Sequence, residues 1–513
     1  MNLPSQLDLE KERIKGFAAD YGLAPFDTVF EIVDYDQLNM IAAYGGFPTR
    51  YPHWRFGMEY EHLRKTYSYG LGKIYELVIN NDPCYAYLLK SNSLLDQKLV
   101  ICHVYGHSDF FRNNLWFADT NRKMIDEMAN HGARIRSYIK RHGRDAVEDF
   151  VDRCLSLDNL IDRHSPYIKR CGPEEPPLTE AERPRRPEVH RIKSKEYMDA
   201  YINPPEFLAR QKKRGEEGLK RARAFPSEPQ ADVLLFLMEH APLERWQRDI
   251  LSIVREEAYY YLPQGMTKIM NEGWASYWHS RLMTERAANS DEIVDYADHH
   301  SGTVAVHPGR LNPYKLGLEL FRDIEERWDK GRFGPEWEDC QSDEERRNWD
   351  KGTGRGREKI FEVRKIYNDL TFIDEFLTPD FCRRHRLFSF NYDKRAEEFK
   401  IESRAFRKIK RRLLAALTNC NQPIVRIVDG NFQNRGELYL AHQFEGVEME
   451  VTKARDTLVN LHAVWGRPVH IETALEGKGR IFSFDGQEHK ETERKLESAE
   501  SAARADEDDD DED

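Results

Sequence analysis

Apolar residues recur at the three-to-four-residue spacing of helices along much of the chain. This spacing predicts helices over residues 94–111, 246–261, 266–286, 313–330 and 362–376. Two short segments, 73–79 and 84–89, are instead rich in aromatic and branched residues, and turn-forming residues separate them. They predict a β-hairpin just ahead of the helix at 94, which Ser93 and Asp96 begin as a weak capping box.

The pattern changes after about residue 379. Short strands with Gly or Asn turns between them are predicted at 388–392, 424–428, 437–442, 468–473 and 480–484. Helices are predicted beside them at 403–417 and 455–465. The chain is therefore predicted to be an α+β protein, with a mainly helical N-terminal domain that contains a small sheet and a small C-terminal α+β module.

Composition divides the chain further. We expect the helical domain to span 1–378 and the α+β module to span 379–486. Residues 172–230 are rich in Pro and in charged side chains, which predicts a polar insertion within the first domain. The segments 299–312 and 338–358 are predicted to be loops. From residue 487 the chain is polar and poor in apolar residues, so the tail is expected to be disordered.

Charge narrows the classes of partner. The 513 residues carry a net charge of -12, and the eight consecutive acids at 506–513 account for most of it. The remaining chain is close to balance, which argues against a nucleic-acid-binding protein. No apolar run approaches the roughly 18 residues of a membrane-spanning helix. Charges occupy the N-terminal stretch where a signal peptide would be apolar, so we expect a cytoplasmic protein.

Candidate chemistry lies on two of the predicted helices. His103 and His107 are four residues apart, on one face and one turn from each other, so both imidazoles can reach one metal ion. Glu272 lies in the sequence Asn-Glu-Gly-Trp-Ala, where Ala275 and Ser276 allow a second helix to approach closely. Zinc peptidases of the gluzincin type use two histidines of one helix and a glutamate of a later helix. The spacing predicts a zinc ion bound by His103, His107 and Glu272, in a core resembling that of a gluzincin.

One position departs from that pattern. The residue after the first histidine is Val104, where a gluzincin has the glutamate that activates water, and valine cannot transfer a proton. Glu59 and Glu61 are the candidates for a displaced base, although both could equally be surface carboxylates. Asp109 is a weaker candidate, because it lies about 200° around the helix from His107.

Two roles are open for each of three further side chains. His300 or Tyr314 could donate a hydrogen bond to a developing oxyanion, and the alternative is that the histidine-rich segment simply packs as a loop. His279 lies two turns beyond Glu272, too far along the helix to share its ion comfortably. A role beside a ligand therefore suits His279 better than coordination.

Several motifs together resemble one family. They are Gly-Met-Glu-Tyr-Glu-His at 57–62, the segment at 103–114, Asn-Glu-Gly-Trp-Ala at 271–275, His-His-Ser-Gly at 299–302 and Asn-Pro-Tyr-Lys-Leu-Gly at 312–317. In order and spacing, over about residues 5–475, they are similar to the stage V sporulation protein R family. The resemblance implies a cytoplasmic protein linked to spore cortex formation in spore formers.

The family also occurs in bacteria that do not sporulate, where it is linked to the stress response. There the resemblance implies as partners a serine protein kinase with an ATPase core and a von Willebrand-factor-A-like protein. Two functions stay open. The chain could be a zinc-dependent amide hydrolase with a displaced base, or a non-catalytic, metal-stabilised regulatory or scaffold protein that acts with the kinase.

Overall fold

The computed structural model describes most of the chain. The described residues are 3–68, 76–168, 198, 204–212, 225–305, 311–393, 398–445 and 447–494. Most of the predicted insertion at 172–230, and the tail beyond 494, lie outside them. The chain groups into two units, Met1–Val147 with Tyr259–Asn421, and Glu148–Ala258 with Gln422–Asp513.

The first unit is mainly helical. Its helices before residue 147 are α1 (Ser5–Asp20), α2 (Tyr35–Ala43), α3 (Trp54–Ser68), α4 (Leu94–Asn113) and α5 (Met124–His142). The division between the units falls within α6 (Arg144–Leu155) and, after α7 (Val233–His240) of the second unit, within α8 (Arg245–Met266). The helices that follow in the first unit are α9 (Lys268–Leu282), α10 (Ile293–Thr303), α11 (Pro313–Asp329), α12 (Pro335–Glu338), α13 (Asp343–Asn348), α14 (Gly356–Ile366), α15 (Asp369–Phe376), α16 (Pro379–Arg384) and α17 (Phe406–Leu417).

A small sheet accompanies these helices. Strand β2 (Glu76–Ile79) pairs antiparallel with β3 (Cys84–Leu89), as the predicted hairpin requires. Strand β1 (Thr28–Val33) pairs parallel with β3, so the strand order is β1-β3-β2. A separate two-stranded sheet joins β4 (Ser389–Asp393) to β5 (Glu398–Ser403).

The centre of the first unit consists of α4, α9 and α11. Ser93 caps α4 as predicted, because its hydroxyl accepts from the Asp96 amide while the Asp96 carboxylate accepts from the Ser93 amide. Small residues let the helices meet backbone to backbone. A Cβ added at Gly106 would lie 2.7 Å from the Cα of Ala275. The contact of Gly273 with Gly317 brings α9 equally close to α11.

The second unit contains a five-stranded sheet. Its strands are β6 (Val425–Phe432), β7 (Glu437–His442), β8 (Val469–Leu475), β9 (Lys478–Phe484) and β10 (His489–Arg494), in the order β10-β9-β8-β7-β6. Helix α18 (Val451–Trp465) connects β7 to β8 and buries Leu458, Leu461 and Val464. The pairing of β7 with β8 is parallel and the other pairings are antiparallel. The strands and helices predicted for this part of the chain are all present.

The grouping of the chain differs from the predicted division in three places. Residues 148–258 group with the C-terminal strands, because the ring of Phe236 on α7 stacks on Trp465 of α18 and Gln230 bridges to Ile427. The second unit resumes at 422 rather than at 379. Its sheet also continues past residue 486, where the tail was predicted to begin. Strand β10 pairs with β9 through backbone hydrogen bonds. Its side chains are polar, so its sequence lacks the apolar pattern that predicts a strand.

Three predicted segments have a different local structure. His299 and His300 lie on α10 rather than in a loop. The predicted helix at 362–376 is two helices, α14 and α15, and the charged segment at 338–358 contains α13. The described structure is thus α+β with small sheets. Within the described residues, no helix combines the length and the apolar character that crossing a bilayer demands.

Candidate metal centre

Three buried side chains converge where α4 crosses α9. His103 and His107 belong to α4 and Glu272 belongs to α9, and each is 5% exposed or less. The Oε2 atom of Glu272 lies 3.5 Å from Nε2 of His103 and 3.4 Å from Nε2 of His107. The fold therefore brings the three predicted ligands together, although 169 positions separate His103 from Glu272. The three side chains could hold a metal ion.

Local structure explains this convergence. The helical period places His103 and His107 one above the other, and Gly106 between them lets α9 approach. The start of α9 is held by Asp369, whose two carboxylate oxygens accept hydrogen bonds of 2.8 Å from the amides of Ile269 and Met270. This contact aligns the first turn of α9, so that Glu272 points at the two imidazoles.

The spacing of the three atoms fits a coordinated ion. Separations of 3.4 and 3.5 Å are longer than an ordinary hydrogen bond. Zinc held at about 2.0–2.1 Å from nitrogen and oxygen sets neighbouring ligands of a tetrahedron about 3.3–3.4 Å apart. Among the described residues, no hydrogen bond reaches the buried Oε2 atom of Glu272. Burying this carboxylate oxygen without a hydrogen bond or a cation would cost free energy. Zinc suits a set of two imidazoles and one carboxylate.

The other oxygen of Glu272 is already occupied. The ammonium of Lys268, one turn earlier on α9, donates to Oε1 at 2.5 Å, which leaves Oε2 as the oxygen that faces the histidines. Burial favours a raised pKa for Glu272, but the imidazoles of His107 and His103 and the ammonium of Lys268 outweigh it. They hold the pKa of Glu272 well below its usual range, so the carboxylate stays ionised and ready to bind a cation.

Each histidine is oriented through its second ring nitrogen. Nδ1 of His107 lies 2.8 Å from Oδ1 of Asn271, and an amide oxygen can only accept, so His107 donates and keeps the lone pair on Nε2. Nδ1 of His103 lies 2.7 Å from Nδ1 of His279. Such outer contacts fix the tautomer and the ring plane of a metal ligand. His279 thus occupies the position beside a ligand that its place in the sequence favours.

The two predicted hydrogen-bond donors also lie near this centre. Nδ1 of His300 lies 3.0 Å from Nε2 of His279, which extends a line of imidazoles from His103 toward α10. The ring of Tyr314 stacks on the ring of His103, with 6.2 Å between centroids and 28° between planes. Burial, together with the neighbouring imidazoles and the guanidinium of Arg322, lowers the pKa of both His279 and His300, so the two imidazoles are neutral at pH 7.

The carboxylates expected to replace the missing base lie elsewhere. Glu59 and Glu61 are both exposed on α3, and Glu61 lies 3.7 Å from the guanidinium of Arg64. No hydrogen bond or ion pair in the described part of the chain joins either one to the three candidate ligands. The structure therefore does not bring them to the centre, because α3 turns these positions to solvent.

Asp109 is committed to other partners. It is fully buried, and it accepts from the amide of Ala24 at 2.8 Å and from the indole of Trp274 at 2.9 Å. The guanidinium of Arg364 lies 3.5 Å away. Asp109 therefore joins α9, α14 and the segment between α1 and β1 within the core, and it faces away from the histidines on its own helix.

Sequence reasoning missed two residues of the centre. Lys268 precedes Glu272 by four positions, and that spacing on a helix signals an ion pair. Asp369 is about a hundred positions from the amides that it caps, and its own segment carries no sign of that contact. Burial raises the pKa of Asp369 to about 7, although the two amides act in the opposite direction.

Comparisons with known proteins agree with the motifs. The profile of the family described as "SpoVR like protein" matches residues 2–422, and that of the "SpoVR-like C-terminal domain" matches residues 423–476. The first profile ends at residue 422, and the C-terminal segment of the second unit begins at the same residue. The uncharacterized protein YcgB of Escherichia coli strain K12 is 31% identical over 500 residues, which cover 92% of each chain. No solved structure matches the chain. On this evidence the chain belongs to the SpoVR family.

Proposed function

We propose that the chain binds one zinc ion through His103, His107 and Glu272, and that it works as a metal-stabilised regulatory or scaffold protein without catalytic activity of its own. The observation that carries the metal site is the convergence of two imidazole nitrogens on one carboxylate oxygen at 3.4 and 3.5 Å. The ion would connect α4 to α9, two of the three helices at the centre of the first unit.

The carboxylates argue for the non-catalytic role. A general base must come within hydrogen-bonding reach of the water that it deprotonates. Position 104 is a buried valine, and Glu59 and Glu61 are exposed on α3. Asp109 and Asp369 are both engaged by backbone amides. Each carboxylate considered for the base is therefore engaged elsewhere or turned to solvent.

A bound ion would act first on stability. Ligands that bind the native state alone stabilise it by mass action, by about 4 kcal/mol at a thousand times the dissociation constant. The same ion would hold the buried helices α4 and α9, and the helices packed around them, in one conformation. We propose that a partner recognises the first unit in this conformation in the cytoplasm. The family resemblance supports a serine protein kinase with an ATPase core and a von Willebrand-factor-A-like protein as the partners.

A second function is favoured by the number of ligands. Three protein ligands of the His₂Glu type are typical of catalytic zinc, because a fourth position is left for water or substrate. Zinc bound there would polarise a carbonyl and lower the pKa of water. Tyr314 stacks on the ligand His103, and His300 lies beside His279, one imidazole further from the ligands; both could donate hydrogen bonds to a substrate. An amide hydrolase with a gluzincin-like core, acting on a peptide-like substrate in a family whose resemblance implies a link to spore cortex formation, is therefore the alternative.

Metal content tests the shared part of both proposals. Protein purified without chelator should carry about one zinc per chain after zinc supplementation. Glu272→Gln and His107→Ala should lose the metal and melt at a lower temperature. Glu325→Gln is the matched control, because Glu325 is partly buried on α11 and pairs with Arg281. Far less than one equivalent in the wild type would refute the site.

The hydroxyl of Tyr314 separates scaffold from hydrolase. Tyr314→Phe keeps the ring that stacks on His103 and removes only the hydrogen-bond donor. A scaffold should keep its zinc, its capture of the kinase and its cellular phenotype in this variant. A hydrolase that uses the hydroxyl should keep zinc and kinase capture but lose the phenotype. Loss of kinase capture on removal of zinc, as in Glu272→Gln, would support the scaffold directly.

A further inference from the structure

The first unit contains a cavity of about 350 Å³ whose lining includes none of the three candidate ligands. It lies between the first turns of α11, the segment that follows α16, and α17. Its wall is mainly apolar, and the apolar side chains include Leu316, Phe381, Leu387, Phe390, Ile409 and Leu413. Cavities of this size and character are typical of small-molecule sites.

The charges on the wall are mostly cationic. Lys315, Arg386 and Arg412 line the cavity, against one carboxylate, Glu319. Arg412 is paired at 2.6 Å with Glu402, and Glu319 is paired with Arg322. No hydrogen bond or ion pair among the described residues involves the side-chain nitrogens of Lys315 or Arg386. Two cationic groups that have no counter-ion among the described residues therefore border an apolar space.

The backbone at Arg386 gives independent support. Arg386 follows α16 with a φ of 51°, a left-handed conformation. The Leu387 amide donates to the carbonyl of Cys382 at 2.9 Å, which is the pattern of a helix end that glycine ordinarily completes. Arginine adopts this conformation less readily than glycine, yet here it places an exposed guanidinium at the cavity. The left-handed turn at Arg386 therefore places a cationic side chain at the cavity wall at some cost in backbone stability.

We infer that this cavity binds an amphipathic monocarboxylate, a fatty acid of about ten carbons, with the chain among the apolar side chains and the carboxylate between Lys315 and Arg386. Space for about twelve non-hydrogen atoms follows from the volume, at about 30 Å³ for each water-sized group. Apolar walls favour the alkyl chain, and two cations that the described residues leave unpaired favour a single anionic head group.

This site is independent of the proposed zinc centre. Tyr314 and Lys315 are neighbours on α11, but Tyr314 contacts His103 while Lys315 lines the cavity. Changes in the cavity wall should therefore leave the metal content unaltered. Failure of the zinc proposal would not affect the carboxylate site, and the reverse also holds.

Calorimetric titration of the full-length protein tests the inference. Decanoate should bind saturably at one site per chain, below the concentrations at which it forms micelles. Decylamine, which has the same chain and the opposite charge, should bind at least tenfold more weakly. Absence of saturable decanoate binding, or equal affinity for the two amphiphiles, would overturn the inference.

Variants locate the site. Ala416→Trp should abolish decanoate binding by filling the cavity, whereas Ala415→Trp should not, because Ala415 is an exposed neighbour outside the lining. Lys315→Gln should weaken binding about tenfold, and Lys408→Gln, on the exposed side of α17, should leave it unchanged. Arg386→Gly should weaken binding without lowering the melting temperature. Unchanged affinity in both Ala416→Trp and Lys315→Gln would place decanoate elsewhere and contradict the inference.

Discussion

The Nδ1 atom of His107 lies 2.8 Å from the amide oxygen of Asn271, the residue that directly precedes Glu272. One turn of α9 therefore supplies both a candidate ligand and the group that orients another ligand. Because the two contacts come from consecutive residues, a rotation of α9 would disturb both together. The sequence Asn-Glu at 271–272 acts in this way as one unit of the centre.

The orienting role of Asn271 predicts a graded effect on metal affinity. Asn271→Ala should weaken zinc binding about 10–100-fold, because His107 loses the acceptor that fixes its tautomer and ring plane. Asn271→Asp keeps an acceptor oxygen and should retain most of the affinity. Competition with a chromogenic chelator measures both. Equal affinities of wild type and Asn271→Ala would show that the contact does not orient the ligand.

The close contact of α4 with α9 predicts a steric effect. A Cβ at Gly106 would lie 2.7 Å from the Cα of Ala275, so Gly106→Ala must separate the helices. We expect a loss of about 1–3 kcal/mol in the free energy of unfolding, together with weaker zinc binding. Gly16→Ala is the control, since nothing lies within 4 Å of a Cβ there. That change, in the interior of α1, should be neutral or stabilise by up to about 1 kcal/mol.

Denaturant unfolding of both glycine variants, with and without chelator, provides the measurement. If Gly106→Ala unfolds at the same denaturant concentration as the wild type, α4 and α9 are not in the close contact that the structure shows.

Asp369 predicts a dependence of stability on pH. Burial raises its pKa in the folded protein to about 7, above the ordinary value of 3.8. The folded state then binds a proton that the unfolded state has released, so this group's contribution to stability falls as the pH rises between about 4 and 7. The loss is on the order of a few kcal/mol, at about 1.4 kcal/mol per pKa unit.

Asp369→Asn removes this titration while keeping an acceptor for one of the two amides. Chelator is present throughout, and the free energies of unfolding of the wild type and of Asp369→Asn are compared. Relative to the variant, the wild type should be less stable at pH 8 than at pH 5. A difference that is constant with pH, or that grows in favour of the wild type, would mean that Asp369 is ionised in the fold over that whole range.

How far the sequence predicts this protein depends on the range of each contact. His103 and His107 are related by one helical turn, and Glu272 carries a motif of its own, so local spacing identifies all three. The contact of Asp369 with α9 spans about a hundred positions and arises only from packing. Strand β10 is polar, and its pairing through the backbone leaves no apolar pattern to detect.

The expectation for Glu59 and Glu61 shows the same limit. Their chemistry suited a displaced base, but their direction depends on which face of α3 is buried. That helix buries Phe56 and exposes both carboxylates, which the local sequence does not reveal. Residue type and spacing therefore identify candidate ligands held on one helix, whereas the approach of a more distant group depends on tertiary packing.

X-ray absorption at the zinc edge tests the central claim most directly. The wild-type protein loaded with one equivalent of zinc should show only nitrogen and oxygen neighbours at about 2.0–2.1 Å, with the outer-shell signal of two imidazoles. In Glu272→Gln this spectrum should be lost with the metal. A sulfur neighbour at about 2.3 Å, or a spectrum that is unchanged in His107→Ala, would contradict a site formed by His103, His107 and Glu272.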